Sequence, residues 1–304
     1  MGSMDNSRSN IVQLQTAEHN AQLLDQLSRN SSPYQDPLCR VRWDSLNQNS
    51  FWLPESAISL FGSPEYDKLS LEQRKTLSQF EFLNFTEAGL WLESLFMERI
   101  ARSMTKPRRD LAELIYHLHE MREEAGHSLT FLELLRRSGP LVPNTRFHKL
   151  DISNLLARYA PFESVVFWTA VLIGEEVPDR MNRFVRKHQE QVNPAVYDIV
   201  SMHIIDEARH IAHAKDTIAH ALAKTSPLKR RILGMIIGRM LSEFVRTFYQ
   251  PGAHVYEMAS LAPGNEWVKT ASNNLHRSSF IFQCVEPTLR TLRSYGLPVV
   301  WKQR

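Results

Sequence analysis

Two Glu-x-x-His pairs, Glu124-Ala-Gly-His127 and Glu207-Ala-Arg-His210, constrain this chain more than any other feature. On a helix of about 3.6 residues per turn, positions i and i+3 lie on one face about one turn apart. Each pair thus presents a carboxylate and an imidazole in the same direction. His203 extends the second pair, because offsets of four and seven residues bring Glu207 and His210 within about 40° and 20° of it around the axis. Two helices of one chain therefore carry clustered metal-ligand chemistry.

The rest of the sequence reads as mostly helical. Only 11 glycines occur in 304 residues, and long segments lack proline, which argues against a sheet-rich fold with many tight turns. Residues 10–29 predict a short amphipathic helix. Residues 30–70, broken by Ser-Ser-Pro, Asp-Pro, Leu-Pro and Gly-Ser-Pro, predict an irregular lead-in. From Ser70, a residue type that caps helices, Leu77, Phe80, Leu83, Phe85, Leu90, Trp91, Leu95 and Phe96 recur at helical spacing until Pro107. A second long helix is expected from Arg109 to Arg137. A third should run from Ile152 to Lys187 with Pro161 and Pro178 as kink points, and a fourth from Pro194 to Lys224. Further helical segments at 228–249 and 267–294 complete an all-α helical bundle with additional flanking helices. Residues 1–69 form the lead-in, of which 1–3 read as a cloning remnant, and 70–304 form the bundle domain.

The other two long helices carry glutamates in apolar surroundings. Glu87 has Phe80, Leu83, Leu90 and Trp91 at offsets −7, −4, +3 and +4, which places it on the apolar stripe. Glu176 has Thr169, Leu172 and Ile173 on its upstream face; Glu175 has Trp168, Val171 and Leu172, so helical phase prefers Glu176 only slightly. Burying an ionised carboxylate costs several kcal/mol, against a total stability of roughly 5–15 kcal/mol. Four of them, Glu87, Glu124, Glu176 and Glu207, call for compensating positive charge. Two divalent metal ions supply it, and a mixed carboxylate and imidazole set suits iron or manganese. A Glu from each of two helices plus Glu-x-x-His from each of the other two is the arrangement of di-iron carboxylate bundles.

Composition narrows the alternatives. A formal net charge of +3, with basic residues scattered and no aromatic interleaving, argues against nucleic acid as a partner. Cys39 and Cys284 lie far apart without a Cys-x-x-Cys pair, so neither a disulfide framework nor a thiolate zinc site is expected, and a reducing cytoplasm fits. No apolar run approaches a membrane span; the strongest, Val165 to Gly174, is bounded by Glu163 and Glu175.

Singly, each motif has an ordinary explanation. A lone Glu-x-x-His is usually a surface feature, and a histidine-lined helix face can be a solvated patch. Two such pairs, with an acidic residue in core phase on the long helix before each, favour a dinuclear site. His117, His119, His213 and His220 fall off the ligand face and read as structural or exposed.

The stretch His203-Ile-Ile-Asp206-Glu207-Ala-Arg209-His210 resembles the H-x-x-D-E-x-R-H element of the p-aminobenzoate N-oxygenase family, ferritin-like di-iron amine oxygenases. The resemblance spans roughly residues 70–225. It implies a ferritin-like bundle and metal ligands at Glu87, Glu124, His127, Glu176, His203, Glu207 and His210. His203, as a third histidine, separates this family from generic ferritin-like proteins. By the same resemblance Asp206 accepts a hydrogen bond from a ligand histidine, expected to be His127, and Arg209 pairs with Asp206 or a neighbouring carboxylate.

The implied chemistry is oxidation of an amine nitrogen on a small biosynthetic precursor by two iron ions and O2, giving hydroxylamine, nitroso or nitro products. No Gly-x-Gly-x-x-Gly fingerprint for a flavin or nicotinamide occurs, so electrons are expected from an external donor. A homodimer follows by analogy with the family. Three other readings compete. An iron store would be shorter than this chain, and a di-iron carbon hydroxylase or desaturase would use the same ligands with a different pocket. A non-catalytic interaction bundle would leave the seven residues coincidental.

Overall fold

The computed structural model describes residues 18–105, 110–139 and 157–301. Within these, every regular element is helical. Helix α1 covers 18–31. The four long helices are α2 (Leu71–Ser103), α3 (Leu111–Ser138), α4 (Val165–Lys187) and α5 (Pro194–Ala223). They are followed by α6 (Pro227–Tyr249), α7 (Ala253–Met258), α8 (Gly264–Asn273) and α9 (Leu275–Ser294).

Local chemistry starts and stops these helices. Ser70 and Gln73 form a reciprocal capping box at the start of α2. Asp110, Ser164 and Asn193 cap α3, α4 and α5 through their side chains, and Pro194 occupies the first position of α5, where no backbone donor is missed. Gly139, at φ 103°, ends α3 in a conformation closed to most side chains.

Helices α2 and α3 pack as one hairpin and α4 and α5 as another, with α3 also against α5. Helix α4 is then covered by α6 and α9, and α2 by α6 and α7. Four long helices enclosing two Glu-x-x-His pairs form the ferritin-like arrangement, with the last helices wrapped around one side. The lead-in is part of this core. Trp52, Leu53, Ile58, Leu60 and Tyr66 are buried in the same apolar cluster as Phe82, Trp168 and Leu241, each contributing about 1.5–3 kcal/mol through burial.

Several boundaries differ from the sequence expectation. Helix α4 begins at Val165, not Ile152, because Ser164 accepts from the Phe167 amide at 3.2 Å and Pro161 precedes it without a donor. Residues 152–156, like 10–17 and Pro107, lie outside the described residues. The segment expected at 267–294 is two helices. Asn274 interrupts it, accepting from the His276 amide at 3.0 Å while its amide donates to the Ser59 and Phe61 carbonyls. Pro178 does not end α4, which continues to Lys187. No described helix is long and apolar enough to cross a membrane.

Candidate metal centre

The two Glu-x-x-His pairs face one another across α3 and α5. In each, the histidine Nδ1 points to the carboxylates: His127 Nδ1 lies 3.2 Å from Glu124 Oε2 and 3.4 Å from Glu207 Oε1. His210 Nδ1 lies 3.0 Å from Glu124 Oε1 and 3.2 Å from Glu207 Oε2. Glu124 and Glu207 therefore each present one oxygen to either histidine, within reach of both halves of the centre. His203 enters from one turn before Glu207, its Nε2 3.4 Å from Glu207 Oε1 and its ring 4.3 Å from that of His127.

Two four-residue donor groups share Glu207. One consists of Glu93, His127, His203 and Glu207; the other of Glu124, Glu175, Glu207 and His210. All seven residues are buried. Five of the sequence candidates, Glu124, His127, His203, Glu207 and His210, are thus brought together, whereas Glu87 and Glu176 are not.

Glu93 stands where Glu87 was expected, with Oε1 3.3 Å from His203 Nε2. Six residues separate them, about 120° around α2 and about 9 Å along it. Glu87 is half-buried and lines a surface cleft with Phe80, Leu83, Leu135 and His254. The large side chains that defined its stripe cover the outside of the bundle. The face that meets the centre carries Thr86, Gly89 and Glu93 between Phe82, Phe85 and Leu92, so bulky residues lie on both sides of α2 and do not mark the one that holds the ligand.

Glu175, not Glu176, meets Glu124 and Glu207. Glu176 points away and accepts from Lys215 Nζ at 2.7 Å and from the Thr288 hydroxyl of α9 at 2.8 Å. Because α5, α6 and α9 all pack on α4, its residues are buried on nearly every side, and apolar phase cannot distinguish adjacent glutamates.

A shell of polar partners orients the histidines. His127 Nε2 lies 3.3 Å from Asp206 Oδ2, and His210 Nε2 lies 3.0 Å from Glu123 Oε2. Each carboxylate immediately precedes the Glu of the opposite pair. Arg209 donates to both, 2.6 Å from Asp206 Oδ1 and 2.7 Å from Glu123 Oε1. Protons held at Nε2 leave the Nδ1 lone pairs facing the centre. Glu123 was missed from sequence, although the repeated acidic-Glu-x-x-His pattern of Glu123 to His127 and Asp206 to His210 would have found it. Asn182, 3.3 Å from His203 Nδ1, has no sequence signal of its own; turned about its amide, its oxygen accepts a hydrogen bond from that nitrogen.

The fit to metal follows from what the cluster leaves unsatisfied. Glu93 Oε2, Glu124 Oε1 and Glu207 Oε1 are buried and accept no hydrogen bond, a costly arrangement that bound cations would relieve. Four buried carboxylates and three imidazoles fit a site for two transition-metal ions.

Without metal, the centre holds protons. Burial, and then Glu124, push the Glu93 carboxyl up; burial, and then Glu175, raise Glu207 well above the carboxylate range. Burial opposes charge on His127 most strongly, yet the hydrogen bond to Asp206 and the nearby carboxylates outweigh it and lift its pKa to about 10. His210 is likewise raised against burial by Glu207 and Glu124. Glu93, pushed up to about 8, and His127 hold protons near neutral pH in the free protein and must lose them to bind metal. Metal uptake is therefore expected to release about two or more protons per chain and to strengthen as pH rises from about 6 to 8. Calorimetry in buffers of different ionisation enthalpy checks this; a binding constant flat over that range contradicts the assignment.

A narrow cleft of about 20 Å³ adjoins the centre, walled by Glu93, Glu175, His203, Phe85, Phe131 and Phe248. Phe85 lines it, whereas Trp91, Phe167 and Trp168 do not. A second buried group, His117, Glu120 and His213, lies on α3 and α5 beyond the main cluster. His119 and His220 are half-buried.

Proteins of similar sequence include uncharacterised proteins of Mycobacterium bovis and of two strains of Mycobacterium tuberculosis. Each is 27% identical over 207 residues, covering 66% of this chain and 60% of the relative. The match thus spans about three fifths of the relatives' length. Among solved structures, a mutant of an R2-like ligand-binding oxidase with an aerobically reconstituted Mn/Fe cofactor aligns with a TM-score of 0.43 at 13% identity, over 92% of this chain and 86% of that one. The family model described as p-aminobenzoate N-oxygenase AurF matches residues 14–296, so the chain with this di-metal geometry belongs to that family.

Proposed function

We propose that the protein is a di-iron, O2-dependent N-oxygenase that oxidises the amine of a small biosynthetic precursor. Its family supports a di-metal oxidase or oxygenase, and the observation that carries the finer reading is His203. This third histidine belongs both to the donor group around Glu93 and to the wall of the adjoining cleft.

Two bound iron ions would supply the one-electron and O2 chemistry that side chains lack. Glu93, His127 and His203 would hold one position, Glu175 and His210 the other, with Glu124 and Glu207 shared. Asp206 and Glu123 keep the histidine Nε2 protons, and Arg209 holds those carboxylates in place. Phe85, Phe131 and Phe248 exclude water from the cleft. Among the described lining residues the only ionisable groups are Glu93, Glu175 and His203, so the cleft offers no basic anchor for a substrate carboxylate, and at about 20 Å³ it must widen to admit an amine.

The first oxidation balances as R–NH2 + O2 + 2 electrons + 2 H+ giving R–NHOH + H2O. It requires an external electron donor. We further propose a cytoplasmic homodimer, with neither nucleic acid nor membrane as partner.

Protein loaded anaerobically with Fe2+, reduced, and exposed to 18-oxygen gas with a panel of aryl and aliphatic amines is expected to give nitrogen-bound label by mass spectrometry. Label on carbon alone, with nitrogen untouched across the panel, assigns the protein to the carbon hydroxylases instead.

A further inference from the structure

Helix α3 carries a second histidine–glutamate spacing one turn before the metal centre, His117-Leu-His-Glu120, and α5 carries His213 one residue-triplet after His210. The three side chains converge. His213 Nδ1 lies 3.0 Å from Glu120 Oε1, the His117 and His213 rings are 5.4 Å apart, and one donor atom from each residue fits within a 4.8 Å group. Exposures are 2% for His117, 0% for Glu120 and 3% for His213.

A buried His213–Glu120 pair explains only one of these atoms. His117 Nε2 and Glu120 Oε2 are buried without a hydrogen-bond partner. Leaving both desolvated is unfavourable unless a third party satisfies them. Trp168 walls the group, its ring 4.7 Å from His213 and stacked at 6.1 Å on His117. This aromatic wall packs against both imidazoles.

We propose that His117, Glu120 and His213 form a third, mononuclear site for a divalent transition-metal ion. Two imidazoles and one carboxylate are the donor set of many iron and zinc sites. A route from solvent is present. His213 also lines a cavity of about 580 Å³ whose charged walls are the carboxylates of Glu113, Glu163 and Asp216 and the ammonium groups of Lys224 and Lys229, an opening wide enough for a hydrated cation. Glu120 and His213 stand one helical turn from Glu124 and His210, about 5 Å along each axis. A cation entering this mouth therefore meets the third site before the dinuclear one.

The test uses full-length protein stripped with chelator and reloaded with Zn2+, an ion that needs no anaerobic handling. Metal analysis after dialysis is expected to show three ions per chain in the native sequence and two in Glu120→Gln and in His117→Ala. Crystals of the native protein soaked in Zn2+ should show an anomalous peak about 2.0–2.2 Å from one donor atom of each residue. Two ions per chain in the native sequence with no peak at this position overturns the site while leaving the dinuclear centre intact. Three ions retained in the His117→Ala, Glu120→Gln double variant overturns it as well. If Glu120→Gln loses every ion through misfolding, the native anomalous peak alone decides.

Discussion

Glu93→Ala is expected to lose one of the two ions of the dinuclear centre and to lower O2-dependent turnover by about 100-fold or more, while Glu87→Ala keeps both ions. Even partners that merely orient a ligand typically contribute about 10–100-fold to metal affinity or activity, so removing a donor itself belongs at or beyond the upper end. Glu93 is 2% exposed, 3.3 Å from His203 Nε2 and 3.9 Å from His127 Nδ1. Glu87 lines the outer cleft two turns earlier on α2. Metal content, the absorption of the iron-loaded protein and single-turnover product measure the effect together. The assignment fails if Glu87→Ala loses the ion and Glu93→Ala retains it.

Glu175→Gln is expected to stabilise the metal-free protein while removing most of the stabilisation that metal brings. Burial raises the Glu175 pKa, so at pH 7 the unfolded chain carries an ionised carboxylate that the folded state must either protonate or bury charged. That penalty is fully present above the folded pKa and fades as pH falls below the unfolded one. Relieving that penalty is expected to gain about 1–3 kcal/mol, the usual cost of a buried group that is left unsatisfied, or about 2–10 °C in Tm for a chain of this size.

The native protein should gain about 4 kcal/mol when metal stands at about a thousand times its Kd, and the variant little. Glu176→Ala should do the reverse. It removes the acceptor for Lys215 and Thr288 and so lowers Tm with and without metal, but leaves metal content unchanged. Calorimetric melting of chelated and loaded samples separates the two patterns. A Glu175→Gln protein with a lower metal-free Tm and the full metal-dependent gain contradicts the placement.

The contrast between these glutamates shows how far sequence reasoning reaches. A Glu-x-x-His pair is defined by bonds along one helix, so its shared face needs no knowledge of neighbours, and Glu124, His127, Glu207 and His210 could be paired from spacing alone. His203 follows by the same rule, and the caps Ser70 and Gln73 are equally local. The orientation of His127 toward Asp206 and of Arg209 toward Asp206 and Glu123 depends on the α3–α5 contact. Family resemblance implied both the His127–Asp206 and the Arg209–Asp206 contacts, but not Glu123.

Apolar periodicity, by contrast, reports which side of a helix is covered, not what covers it. On α2, Phe80 and Leu83 line the outer cleft with Glu87, while Phe82, Phe85 and Leu92 line the cleft beside Glu93, so bulky residues occur on both sides. On α4, cover from α5, α6 and α9 buries Glu175 and Glu176 alike. The burial of His117 and His213 beside Glu120 was equally invisible, because those residues come from helices nearly a hundred positions apart in sequence. What the sequence determined by itself is the all-helical character and the two Glu-x-x-His faces, because backbone geometry within one helix sets both. Which further glutamates complete the centre, and whether a second histidine cluster forms, only the tertiary structure decided, since both depend on the rotation of each helix against its neighbours.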